Sequence, residues 1–137
     1  MTDPNLQCLR VLIVEDQENT RNMLREMVRS IGAGAVFAAQ SGREALTILE
    51  DAASAVNVII CDWMMPEMTG IELLAAVRKR YPKTPFLMLT GKVDAEAVKQ
   101  AVQGGVSGYI AKPVSRAQIE VKLRIVGQKI MSIRADA

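Results

Sequence analysis

Histidine is absent from the 137 residues of this chain. That absence removes Ser-His catalysis, histidine-ligated metals and any phosphohistidine carried by the chain itself. The two cysteines, Cys8 and Cys61, are too few for a structural zinc site and read as small buried hydrophobes rather than a disulfide. No apolar run approaches the roughly 20 residues of a membrane-spanning helix. The opening residues MTDPNLQ lack the apolar stretch of a signal peptide. A soluble, cytoplasmic protein is therefore the expectation. Neither sign of charge dominates: 17 Lys and Arg stand against 15 Asp and Glu, mixed along the chain. No clustered basic face is there to grip nucleic acid, so neither nucleic acid nor membrane is an expected partner. Any chemistry has to run on Asp, Glu, Lys, Ser or Thr.

What the chain does have is a regular alternation of short apolar runs and amphipathic stretches. LRVLIVE (9–15) is a continuous run rich in Val and Ile, the mark of a strand buried on both faces. Over 18–31, Met23, Leu24, Met27, Val28 and Ile31 share one helical face. AVFAA (35–39) predicts a second strand, and Ser41 with Glu44 caps a helix to about Asp51. VNVIIC (56–61) is the third strand; Thr69 and Glu72 cap a helix over 70–80 that stops at Tyr81-Pro82. PFLML (85–89) is the fourth strand, followed by a helix capped by Asp94 and ended by Gly104-Gly105. GYIA (108–111) is the fifth strand, and Ser115 with Gln118 caps a last helix to about Ser132. Five strand–helix units in alternation predict an α/β fold, a doubly wound open parallel sheet with five helices, in a single domain over 1–137.

Ligands of such sheets sit beyond the carboxyl ends of the strands. Those ends carry Glu15-Asp16, Asp62, Thr90 and Lys112. Each has an ordinary reading taken singly: Asp16 as a helix N-cap, Asp62 as a loop residue, Thr90 as a cap or turn, Lys112 as a solvated lysine. Polar residues of these types at four of five strand ends favour a joint site. Carboxylates held close together call for a cation, and oxygen-only donors suit Mg²⁺. A lysine and a hydroxyl beside them suit phosphoryl transfer, with a carboxylate as the nucleophile.

Four stretches, VLIVED (11–16), IICDWMMPEMTG (59–70), LMLTG (87–91) and GYIAKP (108–113), are together similar to the receiver domain of two-component response regulators, over about 9–130. The resemblance implies a flavodoxin-like sheet of order 2-1-3-4-5. It implies that Asp62 accepts a phosphoryl group from a phosphohistidine on a partner histidine kinase or phosphotransfer protein. It further implies that Asp16, Asp62 and the main-chain carbonyl of Met64 hold Mg²⁺ with Glu15 in support. Lys112 would meet the phosphoryl oxygens through a cis bond to Pro113, and Thr90 would move to them while Tyr109 turns inward. The missing histidine agrees, since the donor has to be another chain. Met64 stands where relatives often carry a polar residue. Met64, Met65 and Met68 also read simply as packing, Tyr109 as an ordinary aromatic, and Trp63 as a spectroscopic reporter.

On the last helix, Ile119, Leu123, Val126 and Ile130 form a core stripe, leaving Ala117, Val121 and Ile125 on the opposite side. That outer row reads either as a contact surface for a downstream protein or a homodimer, or as having no role. The resemblance places signalling on the face of the fourth helix, fifth strand and fifth helix. With few residues after Ser132, a stand-alone regulator of the chemotaxis type is expected, the alternative being a receiver from a longer regulator or hybrid kinase. Two rivals fit less well. A haloacid dehalogenase-like phosphatase needs a second Asp two residues after the nucleophile, where Met64 stands. A flavin-binding module wants a Ser/Thr/Gly-rich loop where EDQENTR is acidic.

Overall fold

The computed structural model describes residues 3–91 and 95–136. In chain order its elements are α1 (Pro4–Gln7), β1 (Arg10–Val14), α2 (Glu18–Ile31), β2 (Ala35–Ala39), α3 (Gly42–Glu50), β3 (Val58–Asp62), α4 (Gly70–Arg80), β4 (Phe86–Thr90), α5 (Ala95–Gln103), β5 (Gly108–Ala111) and α6 (Arg116–Asp136). The strands lie in one sheet in the order β2-β1-β3-β4-β5, and every pairing is parallel. The expected strands agree with these to within one or two residues.

Among the described residues, six helices replace the expected five. The extra one, α1, is a single turn, too short to carry a helical period. Its signal is chemical: the Asp3 carboxylate accepts from the Asn5 N–H, and Pro4 occupies the first helical position. Leu6 is buried against the sheet, and α1 lies along α6, where a side chain at Gly127 would overlap the Asn5 carbonyl oxygen. Arg124 of α6 pairs with Asp3 and with Glu120. The last helix also runs on to Asp136 rather than ending near Ser132. The Asp94 cap lies outside the described residues.

Period-two alternation sends each strand's side chains to two separate cores. Val11 and Ile13 of β1, Val58 and Ile60 of β3, and Leu87 and Leu89 of β4 meet Leu24, Val28 and Ile31 of α2 and Ile119, Leu123 and Val126 of α6. Their neighbours Leu12, Val14, Ile59, Cys61, Phe86 and Met88 face Ala45 of α3 and Leu73, Leu74 and Val77 of α4. The continuous apolar strands follow directly from being covered on both faces. Met23 departs from the expected helical stripe: it is exposed, at the margin of the face that Leu24 and Val28 bury. Ile119, Leu123, Val126 and Ile130 do face the core, and Ala117, Val121 and Ile125 are exposed.

The Thr69–Glu72 capping box closes in both directions, as does the Ser115–Gln118 pair, and the Ser41 hydroxyl accepts from the Glu44 N–H. These caps set where α4, α6 and α3 begin. In the case of α4 this matters for the site, because Gly70 brings the helix start against the end of β3. A Cβ on Gly70 would lie 2.6 Å from the Asp62 carbonyl oxygen.

Candidate functional site

Strand register assembles the site. The last β1–β3 pair is Val14 with Cys61, so the next residues, Glu15 and Asp62, emerge side by side. Asp62 itself pairs with Leu89, and Thr90 with Ala111, which brings Thr90 and Lys112 onto the same edge. Two backbone bonds hold these ends in place: Glu15 N–H to the Ala39 carbonyl at 3.0 Å, and Lys112 N–H to the Thr90 carbonyl at 2.8 Å. The peptide bond from Lys112 to Pro113 is cis.

One carboxylate oxygen from each of Glu15, Asp16 and Asp62 lies within 4.8 Å of the others. Glu15 and Asp62 are buried, with Asp16 at the rim. The Lys112 ammonium reaches Asp62 Oδ1 at 2.8 Å. Reading Lys112 as an ordinary solvated lysine is thereby set aside. Asp16 does not cap α2 either; that position is Gln17, which makes no side-chain capping bond. Thr90 is a buried strand residue rather than a helix cap.

Among the described residues, three carboxylates against one lysine leave negative charge uncompensated. Glu15 records the cost. Burial, then a hydrogen bond shared with Asp62 and the Asp62 charge, push its carboxyl up to about 7. Its Oε2 is buried without a hydrogen-bond partner. A buried acceptor of this kind is costly unless something cationic meets it. An all-oxygen donor set with a converging, partly orphaned carboxylate fits a hard divalent cation such as Mg²⁺. The neighbouring Cys61 adds no reactivity, because burial followed by the Asp62 and Glu15 charges pushes its thiol far above the usual range.

The remaining expected residues fall at different depths. Met64, in the loop between β3 and α4, is 71% exposed, so its side chain faces solvent. Met65 is buried and Met68 half-buried against the α3–α4 core, where they fill space. Trp63 is half-buried beside the same core. Tyr109 points outward from β5 and is 39% exposed. With Ile110, Ala111, Gln118, Val121 and Lys122 it borders an open hollow of about 260 Å³ between β5 and α6. Ala117 and Ile125 flank it on the same helix without entering its lining. Lys92, which follows Thr90 and Gly91 in the sequence, lies outside the described residues.

Sequence and fold are both matched among known proteins. Residues 11–124 match the response regulator receiver domain. The chain belongs to that family. Over 124 residues it is 32% identical to the chemotaxis protein CheY of Pseudomonas aeruginosa, covering 89% of this chain and 98% of that one. It is likewise 32% identical over 124 residues to CheY-3 of Vibrio cholerae, covering 94% of that protein. The solved structure of the chemotaxis response regulator CheY4 of Vibrio cholerae superimposes with a TM-score of 0.77 at 36% identity, over 85% of this chain and 96% of that one. This receiver domain is thus homologous to CheY response regulators, which places it in phosphorylation-based two-component signalling as a switch rather than a classical enzyme.

The sequence reading passed over one residue at the receiver's site. Arg21, in the first turn of α2, donates from Nη1 to the Glu15 carbonyl at 3.0 Å and the Asp16 carbonyl at 3.4 Å. Only its place in EDQENTR, five and six residues beyond the carboxylates, hinted at it.

Proposed function

We propose that Asp62 is the phosphoacceptor of this receiver domain, taking a phosphoryl group from a phosphohistidine on a partner histidine kinase or phosphotransfer protein. The observation that carries the reading is the buried Asp62 carboxylate, paired with Lys112 at 2.8 Å and converging with Glu15 and Asp16. Asp16, Asp62 and the Met64 main-chain carbonyl would hold Mg²⁺, with Glu15 in support. Bound there, the ion supplies positive charge to the phosphoryl oxygens. An Asp62 carboxylate oxygen attacks phosphorus as the bond to the donor imidazole breaks, and the imidazole leaves with its electron pair. Lys112 exchanges part of its pairing with Asp62 for a phosphoryl oxygen. Thr90, buried on the adjoining strand, donates its hydroxyl to another. The protein thereby catalyses its own phosphorylation and, with water as the acceptor, its own dephosphorylation.

The phosphorylated side chain carries roughly −1.5 to −2 where the free carboxylate carries −1, and the new oxygens shift the population toward a conformer in which Thr90 and Lys112 engage the phosphoryl group. Tyr109, outward in this structure, then turns inward and reshapes the α5–β5–α6 face. Ala117, Val121 and Ile125 offer that face to a downstream protein or to a second copy of the chain. No helix among the described residues is long and apolar enough to cross a membrane. We place the protein in the cytoplasm as a single receiver domain spanning 1–137.

The test is incubation with Mg²⁺ and a small acyl phosphate donor, followed by mapping of the modified residue by mass spectrometry. Phosphorylation is expected on Asp62 and lost in Asp62→Asn. If Asp62→Asn stopped phosphorylation but bound every partner as the phosphorylated protein does, the switch would not reside at this residue.

A further inference from the structure

Among the described residues, Arg21 is the cation anchored to the loop that presents Glu15 and Asp16, yet it bonds neither carboxylate. Its Nη1 instead spans the two consecutive carbonyls of those residues. The side chain starts from the first turn of α2, whose own backbone bond from Arg21 N–H to the Gln17 carbonyl, at 2.8 Å, fixes its root. Gln17 gives that helix start no side-chain cap, so the guanidinium is the side-chain tie between the helix and the loop before it. A carbonyl pair held this way sets the direction of the peptide planes on either side of Asp16, and with them the direction in which the two carboxylates leave the backbone. Both bonds leave one nitrogen of a planar guanidinium, which fixes their directions more firmly than the freely rotating ammonium of a lysine would.

We infer that Arg21 is a positioning residue for cation binding: it aims Glu15 and Asp16 at Asp62 by clamping their carbonyls. This rests on the metal reading of the preceding section. Groups that orient ligands in this way typically matter about 10- to 100-fold for metal affinity. The test is calorimetric titration of Mg²⁺ into the wild-type protein, Arg21→Met and Arg21→Lys, with the thermal midpoint of each measured in chelator. Arg21→Met is expected to weaken Mg²⁺ binding about 10-fold, and Arg21→Lys about 3-fold. An unchanged Mg²⁺ affinity in Arg21→Met overturns the inference, even if its thermal midpoint falls, because that pattern marks a merely structural arginine. Should Arg21→Met not fold, Arg21→Lys decides alone, and wild-type affinity in that variant overturns the inference. A wild-type protein that binds no divalent cation instead overturns the metal reading itself and this inference with it.

Discussion

The two ends of the parallel sheet treat their polar groups in opposite ways. At the N-terminal end of β1, Asn57 accepts from the Arg10 N–H at 2.8 Å and donates to the Cys8 carbonyl at 2.9 Å. The Arg10 Nε donates to the Ser54 carbonyl, while its guanidinium lies 5.4 Å over the Phe37 ring. Ser54 in turn donates to Ile48 and Asp51. Donors there meet acceptors, and the result is a tie between β1 and the segment before β3. At the C-terminal end, Glu15, Asp16 and Asp62 are all acceptors when ionised, and one lysine reaches Asp62 among them. A satisfied network adds stability; converging carboxylates repel one another and are relieved by positive charge.

The largest expected effect tests the C-terminal end. Lys112→Ala removes the ammonium 2.8 Å from Asp62, and phosphorylation by a small donor should slow by about 100-fold or more. A rate within a few-fold of wild type would place the transferring charge elsewhere.

The same end should make the cation-free protein lose stability as pH rises from 4.5 to about 7. Glu15 is raised from 4.5 to about 7 in the folded chain. Below 4.5 both states hold its proton. As pH rises from 4.5 to 7 the unfolded chain releases that proton while the folded one keeps it, so stability falls and then levels off above 7. Water at the rim screens part of the effect, leaving about 1–3 kcal/mol. Urea unfolding across this range in chelator checks the sign, and Glu15→Gln should flatten the slope.

Asn57→Ala breaks the other end. It strands the Arg10 N–H and the Cys8 carbonyl, and should cost about 2 kcal/mol in urea unfolding. Mg²⁺ affinity should be untouched, because the two ends share no hydrogen bond. A change in affinity would show that the ends are coupled after all.

The smallest effect lies on the outer face of α6. Val121→Glu, at a position 58% exposed, should alter stability by no more than about 0.5 kcal/mol. Binding to a downstream partner should nonetheless weaken, as pull-down with the phosphorylated protein would measure.

The C-terminal end was the more legible of the two. Each of its residues follows an apolar run, so the strand period marks Glu15, Asp62, Thr90 and Lys112 without knowledge of the tertiary fold. Asn57 and Arg21 are different. Asn57 bonds across 47 residues to Arg10, and Arg21 acts through backbone carbonyls, which carry no letter in the sequence. Met23 sits at the margin of its helical stripe, where the width of the covering sheet decides exposure. The α1 turn is held by Leu6, Asp3 and the gap at Gly127, and so depends on a partner helix more than a hundred residues away.

By itself, the sequence determined the alternation of strands and helices, the caps that start α3, α4 and α6, and the kinds of chemistry open to a chain without histidine. Those follow from local period and residue type. Only the tertiary structure decided that Asp62 pairs with Lys112, that Glu15 Oε2 is left without a partner, and that Arg21 clamps the loop between them. Those depend on which strand ends stand side by side, and parallel register across the sheet is what sets that.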